Sequence, residues 1–173
     1  MHRIGIYSGT FDPIHDGHVA FAEKVRGDLS LSEVVFFPEQ NPRGKASVSP
    51  MDYRIAAIAA RLKGIPDYST RQLPDKQFSV TNTLPKLQHL YPNSRLVLLV
   101  GSDVAARLAD WSNIDQLLRH CDIAIGMRMG DDVTILQKYI HDLFTQYGIT
   151  NRSTFHYTEK SHLRSSIIRN SHK

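Results

Sequence analysis

Two histidines and two glycines lie close together near the start of the chain, directly after its first apolar run. The stretch SGTFDPIHDGH, residues 8–18, contains Gly9, His15, Gly17 and His18. Imidazoles can donate hydrogen bonds in both their neutral and charged forms near pH 7, and glycine lets a backbone approach a ligand closely. The N–H groups at a helix start, together with the positive end of the helix dipole, bind phosphate. The stretch therefore indicates a phosphate site if a helix begins here.

The same residues admit two plainer interpretations. A metal site would usually need histidines four residues apart on a helix, completed by a nearby Cys or Glu, and neither condition is met around His15 and His18. N-capping of a helix with incidental histidines would be the favoured reading of an isolated H-x-x-H. A P-loop is excluded, because the sequence contains no G-x-x-x-x-G-K-[ST].

The elements that must position these residues alternate between strand and helix patterns. Helical spacing of apolar residues is seen in GHVAFAEKVRGDL and VTILQKYIHDLFTQYG, whereas the apolar runs RIGIYSG, EVVFFP, RLVLLVG and DIAIG are typical of buried strands. Alternating strands and helices predict a doubly wound, Rossmann-like parallel sheet with helices on both faces. We expect one α/β domain over residues 1–173. Ligands of such sheets bind at the carboxyl ends of the strands, where the histidine stretch falls.

End signals place the remaining helices. Ser49 is predicted to cap a helix whose first residue is Pro50, and Gly64 to end it. A further helix is expected from about Thr81, with Pro85 tolerated in its first turn. Two serines in SSIIRNSHK predict a last helix at the end of the chain.

Composition bounds the class of protein. Of 173 residues, 41% are hydrophobic and 22% charged, and the single cysteine gives no disulfide framework. No apolar run is long enough to span a membrane and no secretory signal is present, so a cytoplasmic protein without a membrane partner is expected. The net charge of +4 is dispersed along the chain. We therefore expect no nucleic acid partner, while a homo-oligomer stays open.

The strand, the Gly-Thr-Phe-Asp-Pro turn and the His-x-Gly-His helix start together resemble the nucleotidyltransferase superfamily marked by an H-x-G-H motif. The segments FSVTNTLPKLQHLYPN, LLVGSDVAARLADWSNIDQLL and IAIGMRMG resemble successive segments of the bacterial nicotinate mononucleotide adenylyltransferase family, in the same order. LRSSIIR resembles a variant of that family's second signature, I-S-S-T-x-I-R. The resemblance covers nearly the whole chain.

The resemblance implies an enzyme of NAD biosynthesis that joins ATP and nicotinate mononucleotide to give deamido-NAD and pyrophosphate. The attacking phosphate is already anionic at pH 7, so positioning and electrostatic stabilisation would supply most of the catalysis. Mg²⁺ would bridge the ATP phosphates and keep several waters, so no metal site built from protein ligands alone is expected.

Matching the motifs position by position assigns roles to residues. In the catalytic group, His15 and His18 would contact the ATP phosphates, with His18 acting in the transition state, and Arg169 would grip the β- and γ-phosphates. Nucleotide contacts are implied for Gly9, Thr10, Phe11, Gly17, Lys45, Gly101, Asp103, Arg128, Ser165 and Ser166, with Gly130 beside the adenine. Contacts to the pyridine nucleotide are implied for Val80, Thr83 and Trp111. Alternatively, Lys45 is a solvated loop residue, Asp103 caps a helix, and Trp111 packs in the core.

The sequence also departs from the family pattern. Ser79-Val80 stands where the family usually has Tyr-Thr, and that threonine helps to recognise the nicotinate carboxylate. The loss of its hydroxyl opens the choice between acid and amide, unless Thr81, Thr83 or backbone N–H groups compensate. NPRGK replaces P-P-H-K, and the chain stops four residues after Arg169, so a more open site is expected. Alternatives are adenylyl transfer to nicotinamide mononucleotide or phosphopantetheine, and a catalytically silent nucleotide-binding protein.

Overall fold

The computed structural model describes residues 2–42, 47–73 and 75–163. Within them, six strands form one sheet in the order β3-β2-β1-β4-β5-β6, and every pair of neighbours is parallel. The strands are β1 (His2–Gly9), β2 (Glu33–Pro38), β3 (Tyr68–Thr70), β4 (Ser94–Gly101), β5 (Cys121–Gly126) and β6 (Ser153–His156). This confirms the predicted doubly wound parallel sheet.

The central strands are apolar on both faces because both faces are covered by helices. In β1, Ile4 and Ile6 join one buried cluster, whereas Tyr7 joins the other. In β4, Leu98 and Leu99 divide in the same way. Successive side chains of a strand point to opposite faces, so a continuous apolar run fills two cores at once.

Six helices connect the strands in the described part of the chain. They are α1 (Asp16–Leu29), α2 (Met51–Leu62), α3 (Thr83–Leu90), α4 (Ser102–Ala105), α5 (Ile114–His120) and α6 (Val133–Gln146), with a 3₁₀ turn at Leu108–Asp110. The buried apolar residues of α1 and α2 belong to one cluster, and those of α3, α4, α5 and α6 belong to the other. The helices therefore cover both faces, as predicted.

The direction of winding reverses between β1 and β4. From β1 the chain proceeds outward through β2 and β3, then returns to β4 and proceeds the other way. Loops leaving β1 and β4 diverge to opposite faces at such a point and open a crevice at the carboxyl ends of the strands. The loop with the two histidines follows β1 directly and therefore lies at this crevice.

Several local predictions need correction. The cap of α2 is Pro50, not Ser49, because the helix begins at Met51; Ser49 lies one residue before the cap, and its N–H donates to the Asp12 carboxylate. The short strand β3 and the one-turn helix α4 carry too few residues to show a periodic pattern, and the sequence did not predict them. The helix expected from Ser165 lies outside the described residues. None of the helices in the described ranges combines the length and apolarity that crossing a membrane requires.

Candidate active site at the switch point

The start of α1 is capped by the two histidines themselves. His15 is the N-cap residue, and its Nδ1 accepts a hydrogen bond from the Gly17 N–H at 3.1 Å. The His15 N–H in turn donates to His18 Nδ1 at 3.2 Å. This is the reciprocal arrangement of a capping box, with imidazole nitrogens in place of the usual oxygens. The two rings are stacked with centroids 3.8 Å apart.

The caps fix the protonation pattern of both rings. A ring nitrogen that accepts from an N–H carries no proton, so each neutral ring holds its proton on Nε2. Burial lowers the pKa of His15 to about 4, with the Asp16 carboxylate opposing and Arg128 adding to the shift. His15 is therefore neutral at physiological pH. Both imidazoles thus have Nε2–H as the donor that they can offer to an anion.

Two aromatic side chains pack against the ring of His18. The His18 ring contacts Phe11 edge-on at 5.1 Å and Tyr7 at 6.0 Å between ring centroids. Phe11, whose φ is 48°, is only 2% exposed. The Phe11 side chain thus supports His18 from below, and the predicted contact of Phe11 with the nucleotide stays a prediction.

The segment after β6 returns to the start of α1. The Lys160 ammonium lies 3.1 Å from a carboxylate oxygen of Asp16, and Arg61 contacts the same carboxylate. A Cβ added to Gly17 would lie 3.1 Å from the Lys160 carbonyl oxygen and 3.0 Å from the His15 ring. The described chain is therefore in contact with the histidine loop shortly before Ser165. Lys45, Ser165, Ser166 and Arg169, which the sequence assigned to phosphate, lie outside the described residues.

An ion pair joins the carboxyl ends of β4 and β5. The Asp103 carboxylate accepts from Arg128 at 2.9 Å, and both side chains are partly exposed. The N-cap of α4 is Gly101, so the alternative in which Asp103 caps that helix is wrong. A Cβ at Gly101 would lie 2.7 Å from the Asp103 carboxylate, so a side chain there would displace that carboxylate from its pairing with Arg128. Gly130, with φ of 89°, turns the loop that follows Arg128.

A hollow of about 340 Å³ lies beside α3 at the same end of the sheet. Its lining residues are all uncharged: Ser79, Val80, Thr81, Asn82, Trp111 and Ser112. The Trp111 ring lies 5.8 Å from the Phe78 ring and packs against the core while it lines this hollow. Trp111 therefore serves the core and the hollow together.

The Thr83 hydroxyl has two partners within the protein. It is fully buried, its Oγ1 accepts from the Ser79 N–H at 3.0 Å, and its hydroxyl donates to Asp75 at 2.9 Å. In this geometry Thr83 supports the loop that lines the hollow, and its predicted contact with substrate stays a prediction. Thr81 is exposed, and its Oγ1 accepts from the Asn113 side-chain amide at 2.8 Å.

Metal ligands are sparse at this site. Over residues 2–42, 47–73 and 75–163, no three His, Cys, Asp or Glu side chains come close enough together to hold an ion. The buried thiol of Cys121, whose pKa burial raises to about 12, lies at the opposite end of β5.

A doubly wound sheet with polar side chains at the ends of its central strands belongs to the class of α/β proteins that bind ligands at a topological switch point. The sequence matches the cytidylyltransferase-like family over residues 6–171. It is 30% identical over 136 residues to a "probable nicotinate-nucleotide adenylyltransferase" of Leifsonia xyli, covering 77% of this chain and 68% of that protein. A protein of the same name from Neisseria meningitidis is 32% identical over 146 residues, covering 82% of this chain and 74% of its own length.

The chain therefore belongs to the cytidylyltransferase-like family and, within it, to the nicotinate-nucleotide adenylyltransferases. A solved structure supports the fold: Plasmodium falciparum nicotinic acid mononucleotide adenylyltransferase complexed with NaAD superposes with a TM-score of 0.78 at 18% identity, over 98% of this chain and 83% of that one. The predicted family and enzyme class are thereby confirmed.

Arg54 and Glu39 are two residues at the site that the sequence did not single out. Arg54 is 1% exposed and stands on the buried face of α2 with Ile58 and Leu62. The spacing of these three, four residues apart, is that of an apolar helical stripe. An arginine on such an apolar stripe is the sequence signal that could have revealed Arg54, because a buried cation must have hydrogen-bond or charged partners.

Proposed function

We propose that this protein transfers the AMP part of ATP to nicotinate mononucleotide and releases pyrophosphate. A phosphate oxygen of the mononucleotide forms a bond to the α-phosphorus of ATP. The bond from that phosphorus to the bridging oxygen breaks, and pyrophosphate leaves with the electron pair. The product is deamido-NAD. No proton needs to be removed from the nucleophile, because it is already an anion at pH 7.

The observation that supports this proposal best is the pair of capped imidazoles at the α1 N-terminus. Two Nε2–H donors, fixed by caps on Nδ1, stand where the helix dipole also favours negative charge. Donors arranged before reaction stabilise charge that develops in the transition state, and each is worth about 10²–10³ in kcat. In this proposal His15 and His18 hold the α- and β-phosphates as charge builds on the departing pyrophosphate.

The two substrates would occupy two half-sites: the start of α1 with the strand ends beside it, and the hollow with Trp111. The triphosphate would lie on the α1 start, with the ribose beside Asp103 and the adenine toward Arg128 and Gly130. The uncharged hollow with Trp111 and Val80 would take the pyridine ring, which an aromatic face can stack on. Gly9 and Thr10 would add N–H groups, while Lys45, Ser165, Ser166 and Arg169 would complete the grip on the phosphates.

Mg²⁺ enters this reaction with the nucleotide. It would bridge phosphate oxygens of ATP and retain several of its waters, so the protein's part is to hold the complex. We further propose that the enzyme acts in the cytoplasm without a nucleic acid partner, as its dispersed charge suggests.

Recognition of the nicotinate carboxylate would rest on uncharged donors of the hollow, namely its backbone N–H groups and the hydroxyls of Ser79, Thr81 and Ser112. No lining side chain carries a charge, and Val80 offers no hydroxyl. Val80→Thr restores a hydroxyl at nearly constant volume. If the hollow holds the ring, this change should favour nicotinate over nicotinamide mononucleotide by roughly tenfold in kcat/KM, the worth of a hydrogen bond to a charged group.

The decisive assay is pyrophosphate release with ATP, Mg²⁺ and one acceptor at a time. Turnover should be fastest with nicotinate mononucleotide and slower with nicotinamide mononucleotide. Turnover with phosphopantetheine alone would overturn the assignment of the hollow. ATP binding without turnover on any acceptor would instead identify a silent nucleotide-binding protein.

A further inference from the structure

Arg54 is the largest side chain less than 2% exposed in the described part of the chain. Burial lowers the pKa of its guanidinium, and the nearby Asp12 and Glu39 carboxylates oppose that shift. Placing a cation in a protein interior is costly unless its N–H groups are satisfied. The proposed chemistry leaves this buried charge without a role.

Among the described residues, the Arg54 guanidinium donates three hydrogen bonds, each to a main-chain carbonyl. Nη1 donates to Thr10 at 2.8 Å, Nη2 to Glu39 at 2.9 Å, and Nε to Ser49 at 3.0 Å. These carbonyls belong to the loop after β1, to the residue after β2, and to the chain entering α2. A planar guanidinium fork can hold three separate backbone segments at fixed spacing, which an ammonium cannot do.

Glu39 extends the hydrogen bonds of Arg54 toward the hollow that would hold the pyridine ring. Its Oε1 accepts from the Ser8 hydroxyl at 2.9 Å and from the Phe78 N–H at 3.1 Å. The Glu39 N–H donates to the Gly9 carbonyl at 2.9 Å. Phe78 directly precedes the residues that line the hollow and packs on Trp111. A chain of hydrogen bonds thus runs from Thr10 through Arg54 and Glu39 to Phe78.

We propose that Arg54 and Glu39 are positioning residues that set the spacing between the triphosphate loop and the pyridine hollow. The inference rests on the proposed function, because that function puts the two substrates in these two places. Neither residue needs to touch a substrate. Each half-site is built from its own residues, so a change in the connection should leave binding of each substrate alone nearly intact. In-line attack depends on the distance between the two, and a misplacement of about 1 Å can cost about 10²-fold in rate.

Glu39→Ala is the principal test, since it removes the acceptor that ties Phe78 to β2. We expect kcat to fall about 100-fold. The dissociation constants of ATP alone and of nicotinate mononucleotide alone, measured by calorimetry, should each change by less than about threefold. Glu39→Gln keeps an oxygen acceptor at the same place and should restore most of kcat. A kcat equal to wild type in Glu39→Ala would overturn the proposal.

Glu33→Ala is the matched control. Glu33 is also half-buried and accepts from a serine hydroxyl, Ser69, at 2.6 Å, but it lies at the amino end of β2. The Glu33→Ala variant should lose a similar amount of thermal stability to Glu39→Ala and keep the wild-type kcat. Equal kcat losses in Glu33→Ala and Glu39→Ala would reduce both effects to general destabilisation and also refute the proposal.

Arg54→Lys provides an independent test if Glu39→Ala does not fold. It keeps the charge but cannot reach all three carbonyls, so kcat should fall with little change in either dissociation constant. Loss of substrate binding in place of kcat would contradict the positioning role. If the wild-type protein shows no pyrophosphate release at all, the proposed function fails; if it turns over and these variants match it, only this inference fails.

Discussion

Replacing His18 by alanine separates the catalytic from the structural role of the imidazole pair. The structural loss is one cap, since His18 Nδ1 accepts the His15 N–H at 3.2 Å, together with edge contacts to Phe11 and Tyr7. Loss of a helix cap costs about 1 kcal/mol. Adding the ring contacts brings the expected destabilisation to about 2 kcal/mol.

That loss is tolerable for a domain of this size. A single domain typically has about 5–15 kcal/mol of stability, so His18→Ala should remain folded. For 150–250 residues, about 2 kcal/mol corresponds to a fall in Tm of roughly 4–8 °C. The catalytic loss should be far larger in rate, because removal of one preorganised donor costs about 10²–10³ in kcat.

The assay is pyrophosphate release under saturating ATP and nicotinate mononucleotide, with a thermal melt of the same sample. His141→Ala is the control, since His141 is exposed on α6 and belongs to neither half of the proposed site. We expect kcat to fall about 10³-fold in His18→Ala and to stay at the wild-type value in the control. A kcat within tenfold of wild type, with the expected fall in Tm, would refute the reasoning and leave His18 only as a cap.

Three further changes test other features of the account. Gly17→Ala should lower both Tm and kcat/KM, measured by melting and steady-state kinetics, because the added Cβ would lie 3.0 Å from the His15 ring. Helix propensity alone predicts a gain in stability of up to about 1 kcal/mol. A stabilised variant would therefore contradict the contact. His15, with a pKa of about 4 when folded and 6.5 as the ordinary value, takes up a proton first in the unfolded chain. The free energy of unfolding should therefore fall as pH drops from 6.5 to 4, and urea melts of His15→Asn should lose part of that dependence. Asp122→Asn should cost about 1–2 kcal/mol, because that carboxylate pairs with the partly exposed Arg3, Arg95 and Arg152 at the amino ends of the strands, and kcat should not change.

The fold was predictable from sequence where apolar periodicity was long. The runs in β1 and β4 are buried on both faces, and α1 and α6 repeat apolar residues at helical spacing. β3 has three residues and α4 has four, too short for any period to show. The start of α2 is one residue later than predicted, because the helix begins at Met51 and Pro50 takes the N-cap position.

The candidate site was only partly predictable, for a similar reason. The H-x-G-H spacing identified the helix start, and strand ends identified Asp103 and Arg128. Sequence spacing could not reveal that Nδ1 of each imidazole is used as a cap, nor that the Phe11 ring lies beneath His18. Arg54 was missed because its partners are carbonyl groups, which every residue possesses and no motif records.

A structure of the protein with an ATP analogue and nicotinate mononucleotide bound tests the central claim most directly. The account predicts the triphosphate on the α1 start, with Nε2 of His15 and His18 and the Arg169 guanidinium at hydrogen-bond distance from its oxygens, and the pyridine ring in the hollow beside Trp111. A triphosphate bound away from both imidazoles, or held without Arg169, would contradict it.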